Sequence, residues 1–184
     1  MTVRVQAQDF DVGAELARLR GANPRVGAIA SFVGLARDVN DGRQVLDITL
    51  EHYPGMTERA LQDIVEQARQ RWDLIDCLIV HRIGTIAPLE QIVLVAVSSM
   101  HRHDAFEACR FLIDYLKTDA PFWKKERTPQ GSHWVEARGS DEQARAAWQR
   151  HEPRKGCGRD RRGWPSPRSA WAPPVVRGCA GGWA

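Results

Sequence analysis

LIDCLIVHRIGTIAPLEQIVLVAVSSMHRHDAFEACRFLIDYLK, Leu74–Lys117, decides the fold class. Leu74–Ile83 and Gln91–Ser99 are short runs rich in Ile, Leu and Val, the length and composition of strands. Only Gly84–Glu90 separates them, so two strands follow each other with no helix between. After Ser99 the period changes. Ala105, Phe106, Cys109, Leu112, Ile113 and Leu116 recur at helical spacing, which predicts a helix over Ala105–Lys117. Pro121 prevents its continuation.

Outward from this stretch, strands and helices are interleaved. Val3–Gln8 alternates as a half-buried strand does. Asp9 is placed to cap a helix over Val12–Arg20, ended by Gly21. Val26–Val33 reads as a buried strand and Val45–Tyr53 as an alternating one. The polar loop Asp38–Arg43 between them holds Asn40, Asp41 and Gly42, and such a segment is suited to closing over a site. After the Pro54–Gly55 turn, Thr57–Trp72 is a helix with Ala60, Leu61, Ile64, Val65 and Ala68 as its apolar stripe. Beyond Pro121, Phe122–Glu126 is extended, Arg127–Gly131 turns, His133–Ala137 is a short strand and Asp141–Arg150 a last helix. Strands that directly succeed one another favour an α+β domain with a mixed or antiparallel sheet over a doubly wound parallel one. No glycine-rich phosphate fingerprint follows a strand.

A chain of 184 residues, 43% apolar, suffices for one domain with its own core. No apolar run of membrane-spanning length occurs and the N-terminus has no signal-peptide pattern, so a cytoplasmic location is expected. The net charge of +3 is unevenly spread. Residues 151–184 carry seven Lys/Arg against two Asp/Glu, with six glycines and five prolines. That segment is expected to be a disordered tail, leaving a near-neutral domain over residues 1–150. Trp164, Trp171 and Trp183 among its arginines admit a nucleic-acid reading, which the neutral domain disfavours. Cys77 and Cys109 sit in apolar patterns and read as buried thiols. No CxxC pair or histidine spacing suggests a metal.

The chemistry concentrates between Ser98 and Glu126. His101 and Arg102 stand at a helix start, which already carries about half a positive charge. Two more cations there make sense with an anion bound between them and the backbone N–H groups. Lys117 closes that helix, and Lys124 and Lys125 follow on an extended segment, where only one of the two can face a given site. Glu126 can orient a lysine or carry a proton. Arg37, beside the polar loop, offers a planar fork for phosphate or carboxylate, and Arg138 follows the last strand. Converging cations lower one another's pKa, which a nucleophilic lysine requires. These residues outline a cationic pocket for an anion but name no reaction.

GAIASFVGLAR (27–37), LEHYPGMTE (50–58), VHRIG (80–84), the run from Val97 to Glu126 and HWVEAR (133–138) resemble, in order, the MoaE family, the catalytic subunits of molybdopterin synthase. The likeness covers about residues 3–150. The connection before Gln91 reads IAPLE where that family more often has a glycine before the acid.

The resemblance implies an α/β-hammerhead fold, a homodimer, and a small ubiquitin-like sulfur carrier docked at each outer end to make a heterotetramer. It implies no cofactor. The carrier's C-terminal Gly-Gly thiocarboxylate would give its sulfur to cyclic pyranopterin monophosphate (precursor Z), two transfers making the dithiolene of molybdopterin. Lys117 and Lys124 match the essential lysines. Leu35, Ala36, Arg37, His101, Arg102, Lys125 and Glu126 match substrate-site positions, and Arg138 matches an arginine lent near the site, in its own subunit or across the dimer. The alternative is a non-catalytic module that only binds a carrier's diglycine tail.

Overall fold

The computed structural model describes residues 2–135 and 146–148. The fold below is that of the described residues within Met1–Arg154. Arg138, the boundary at residue 150 and the expected tail lie outside the described residues. Of the expected last helix, Ala146–Trp148 are described and are helical.

The long apolar runs become the middle of a four-stranded sheet. Its order is β1 (Thr2–Gln6), β6 (Leu74–Arg82), β8 (Gln91–Ser99), β2 (Ala28–Leu35), with β1 parallel to β6 and the other pairings antiparallel. The continuous hydrophobicity of β8 has a direct cause: both its faces are covered. Val93, Val95 and Val97 join a core with Leu61 and Val65 of α2 (Met56–Arg71) and Phe111 and Leu112 of α3 (Arg102–Thr118). Leu94 and Ala96 point the other way, toward Phe10 and Leu19, the latter on α1 (Val12–Arg20). Trp148 closes the first core. Its indole N–H donates to Asp114 at 2.8 Å, and its ring meets those of Trp72 and Phe111 edge-on.

A second, wholly antiparallel sheet runs β10 (Gly131–Val135), β9 (Phe122–Thr128), β5 (Asp47–His52), β7 (Gly84–Ile86), over Ala36, Val45, Ile48, Leu50 and Ile86. The chain is thus α+β with mixed and antiparallel sheets. Among the described residues no helix is long and apolar enough to cross a membrane.

Local chemistry moves three expectations. Asp11, not Asp9, caps α1, its Oδ1 accepting the Ala14 N–H at 2.9 Å; Asp9 accepts from Phe10 N–H and Gln91 Nε2 instead. Phe106 is 65% exposed, because it shares the solvent face of α3 with Arg102 and Arg110, one turn to either side. The buried stripe instead includes Ala108, Phe111 and Tyr115. The polar loop is a tight hairpin: β3 (Val39–Asn40) and β4 (Arg43–Gln44) flank Asp41 and Gly42, both at positive φ (49° and 76°), as a primed hairpin turn requires. Cys77 and Cys109 are buried free thiols, which burial pushes up to about 12 and about 11.

Two stability predictions arise here. Leu89 stands in the IAPLE turn at φ 72°, 84% exposed, a conformation that crowds the Cβ of a branched side chain against the backbone and that glycine adopts freely. Leu89→Gly raises unfolding free energy by about 0.5–1 kcal/mol in urea titration, the steric gain exceeding the entropy glycine adds to the unfolded chain. His81 is 5% exposed, stacked on Phe122 at 3.8 Å, with Nδ1 2.8 Å from the Arg82 carbonyl. Burial pushes its pKa down from 6.5 to about 4. Its neutral form is therefore favoured by folding, so stability is full above 6.5 and falls by about 3 kcal/mol as pH drops to 4. His81→Gln removes that component of the slope in unfolding measured from pH 7 to pH 4.

Candidate functional site

Helix α3 separates the cations that the sequence places close together. His101 is its N-cap, with its own N–H donated to Ser99 Oγ at 3.3 Å. Lys117 is in its last turn, sixteen residues on. At 1.5 Å per residue the two lie about 24 Å apart. The helix turns back along β8, with Cys109 Sγ over the Val95 carbonyl midway. Its C-terminal end therefore lies toward Gln91, the residue with which Leu35 pairs at the end of β2. Leu35, Ala36, Arg37 and Lys117 belong to one end of the domain; His101 and Arg102, both exposed, belong to the other. One copy of the chain does not gather them into one pocket, contrary to the reading from the sequence.

The built part of the site is on β9. Strand alternation turns Phe122, Lys124 and Glu126 to one face and Trp123, Lys125 and Arg127 to the other. Glu126 is 2% exposed. Lys124 Nζ sits 2.6 Å from its Oε1. Asn40 Nδ2 donates to both carboxylate oxygens, at 2.9 and 3.1 Å, and His133 Nε2 lies 3.7 Å from Oε2. Burial by itself pushes the Glu126 carboxyl up. The hydrogen bonds from Lys124 and Asn40, with the charges of Lys124 and His133, outweigh it and hold the carboxyl below its ordinary value. The ionised acid is thus the resting form, and it fixes an ammonium.

Lys125 is placed elsewhere, its Nζ 5.6 Å from the centre of the Trp134 ring on the opposite face of the sheet. Substrate contact by Lys125 therefore does not follow from contact by Lys124. Ala36 is buried, its N–H donating to Glu90 O and its carbonyl accepting from Leu89 N–H, so it positions the chain and leaves Leu35 and Arg37 exposed on either side. Arg37 is three residues before Asn40, at most about 10 Å along the chain. A groove of about 670 Å³ opens between the two hairpin tips, bordered by Gly42, Arg43, Gln130 and His133. His133 thus both edges the groove and faces Glu126. Asn40 and His133 were not among the residues singled out from the sequence. The only signal for Asn40 was its place in the polar loop, and its partner is 86 positions away.

The MoaE protein family model matches residues 5–119. The chain belongs to the MoaE family. It is 61% identical over 147 residues to the molybdopterin synthase catalytic subunit of Ralstonia nicotianae, covering 80% of this chain and 84% of that one. It is 52% identical over 144 residues to the same subunit of Escherichia coli, covering 78% and 95%. The solved MoaE protein of Burkholderia ambifaria superposes with a TM-score of 0.70 at 55% identity, over 80% of this chain and 97% of that one. The family match ends before β9, so Lys124 and Glu126 lie just beyond it.

Replacing one Glu126 oxygen by an NH₂ sets donor against donor. Glu126→Gln is expected to cost about 1–3 kcal/mol of stability at neutral pH. The folded carboxyl lies below its unfolded value, so its contribution is present above the unfolded pKa and lost as pH falls through the folded one. The deficit against the native protein, read from urea unfolding, therefore narrows as pH falls below the unfolded value.

Proposed function

We propose that this chain, as the catalytic subunit of a molybdopterin synthase, transfers sulfur from the C-terminal thiocarboxylate of a small ubiquitin-like carrier to cyclic pyranopterin monophosphate. Each transfer puts a carbon–sulfur bond on the substrate in place of a carbon–oxygen bond, whose oxygen leaves as water or as the opened phosphate. A water then cleaves the carbonyl–sulfur bond of the carrier, its oxygen completing the carrier's carboxylate and its proton going to the released thiolate. Two of them make the dithiolene. The observation that carries this reading is the Lys124 ammonium, held 2.6 Å from the buried Glu126 carboxylate. Substrate phosphate and carrier thiocarboxylate are both anions, and their approach in water is unfavourable. Fixed cations remove that repulsion and hold the reactants at attack distance.

In this reading Lys117 stabilises the oxyanion formed when the thiocarboxylate carbonyl is attacked, or accepts the acyl group. Lys124 neutralises charge as the cyclic phosphate opens. Arg37 holds phosphate by its planar fork. His101 and Arg102 serve the same substrate only from a second copy of the chain, because α3 holds them about 24 Å from Lys117 in their own. The working unit is accordingly a homodimer with composite sites, with one carrier at each to make the heterotetramer. Arg138 is assigned to the same shared site.

Purified chain, thiocarboxylated carrier and cyclic pyranopterin monophosphate test the reading by formation of the dithiolene product. Lys117→Ala and Lys124→Ala each abolish turnover while carrier binding persists; near-native turnover in either rejects that lysine's role. The composite site has its own check. Lys124→Ala and Arg102→Ala homodimers are each inactive, while mixed dimers carrying one of each keep one intact site and recover up to about half of native activity per dimer. No recovery in isolated mixed dimers puts Arg102 in the same site as its own chain's Lys124, and an active Arg102→Ala homodimer puts it outside the site; either result rejects the composite site.

A further inference from the structure

We propose that Asn40 is a positioning residue for the Lys124–Glu126 pair, and that the β3–β4 hairpin acts through it as a fixed strut rather than a closing lid. This rests on the reading of Lys124 as a catalytic lysine. The side-chain amide of Asn40 spans both oxygens of Glu126, at 2.9 and 3.1 Å. The terminal torsion of a glutamate is broad and roughly two-fold, so Lys124 on Oε1 does not by itself set the carboxylate plane. On Oε2 the other neighbour is His133 at 3.7 Å, beyond hydrogen-bonding reach. Asn40 therefore defines where Oε1 points, and through it where the ammonium rests. Lys124 is 37% exposed on a flexible stem. A preset acceptor lowers the entropy lost in holding it.

The hairpin is built to hold Asn40 still. Its turn is the tight Asp41–Gly42 type. Val45 N–H donates to the Asp38 carbonyl at 2.7 Å across its base, and Val45 itself is buried. The next residue, Leu46, donates its N–H to the Arg127 carbonyl at 2.8 Å, one position beyond Glu126 on β9. Strut and strand are thereby tied to each other beside the bond they support. Asparagine suits the position because its NH₂ carries two donors on a short stem. Aspartate would set like charge on like, and glutamine would be one methylene too long.

The full chain, assayed with thiocarboxylated carrier and cyclic pyranopterin monophosphate, provides the test. Asn40→Ala lowers kcat about ten- to hundredfold, with KM and carrier affinity little changed, and lowers the thermal midpoint because a buried carboxylate loses a donor. In a Glu126→Gln background the same change has no further effect, because Asn40 acts through that carboxylate. Asn40→Asp keeps the size and carries the pH readout: its kcat climbs toward native as pH falls and the substituted carboxyl takes up the donor proton. Native kcat in Asn40→Ala beside an inactive Lys124→Ala overturns the positioning role and leaves the lysine's role standing. An additive loss in the Glu126→Gln background, or an Asn40→Asp profile parallel to the native one, overturns it as well. Native turnover in Lys124→Ala instead removes the reading beneath it. Should Asn40→Ala fail to fold, the Asn40→Asp profile decides.

Discussion

Helix α3 cannot be shortened. Its hydrogen-bonded rise fixes about 24 Å between His101 and Lys117, and its buried stripe fixes the helix onto β8 and β2. Everything about the site depends on that separation. One end of the domain carries Lys117, Lys124 and Arg37; the other presents His101 and Arg102 outward, above a sheet whose two central strands are covered on both faces. A molecule arranged this way offers half a cationic site at each end. In the proposed reading, two copies together make a whole one.

Burial of Glu126 is the complementary constraint. A carboxylate 2% exposed is costly unless it is met by donors. Here three elements supply partners: Lys124 from its own strand, Asn40 from the β3–β4 hairpin and His133 from β10. The need to satisfy one acid therefore draws a lysine, a hairpin and an edge strand to the same place. In the proposed reading this suits a reaction between anions, since the ammonium has its acceptor in place before either reactant arrives.

Much of the fold was legible because period reports burial. β8 has the bounds its apolar run indicates and α1 those read between Asp9 and Gly21, though a different aspartate caps it, and β6 ends one residue before the expected position. The misreadings have local causes. Phe106 fits a helical stripe by type, but its angular position on α3 puts it with Arg102 and Arg110. Asp9 and Asp11 are equivalent caps on paper; Gln91, from a strand far along the chain, engages the first and leaves the second to the helix. Asp41-Gly42 is a hairpin signal, yet inside a polar run it reads equally as a mobile loop until Asn40 is seen to grip Glu126.

The sequence by itself determined the α+β class, the family, and the kinds of side chain on which the chemistry draws, because those depend on local pattern and on motifs contiguous along the chain. Only the tertiary structure decided which of them meet. That Lys124 faces Glu126 while Lys125 lies over Trp134 follows from strand alternation once β9 is in its sheet. That His101 and Lys117 stand apart follows from the rise of the helix between them. That Asn40 joins the site at all follows from a contact 86 residues long, set by how the second sheet brings the β3–β4 hairpin beside β9.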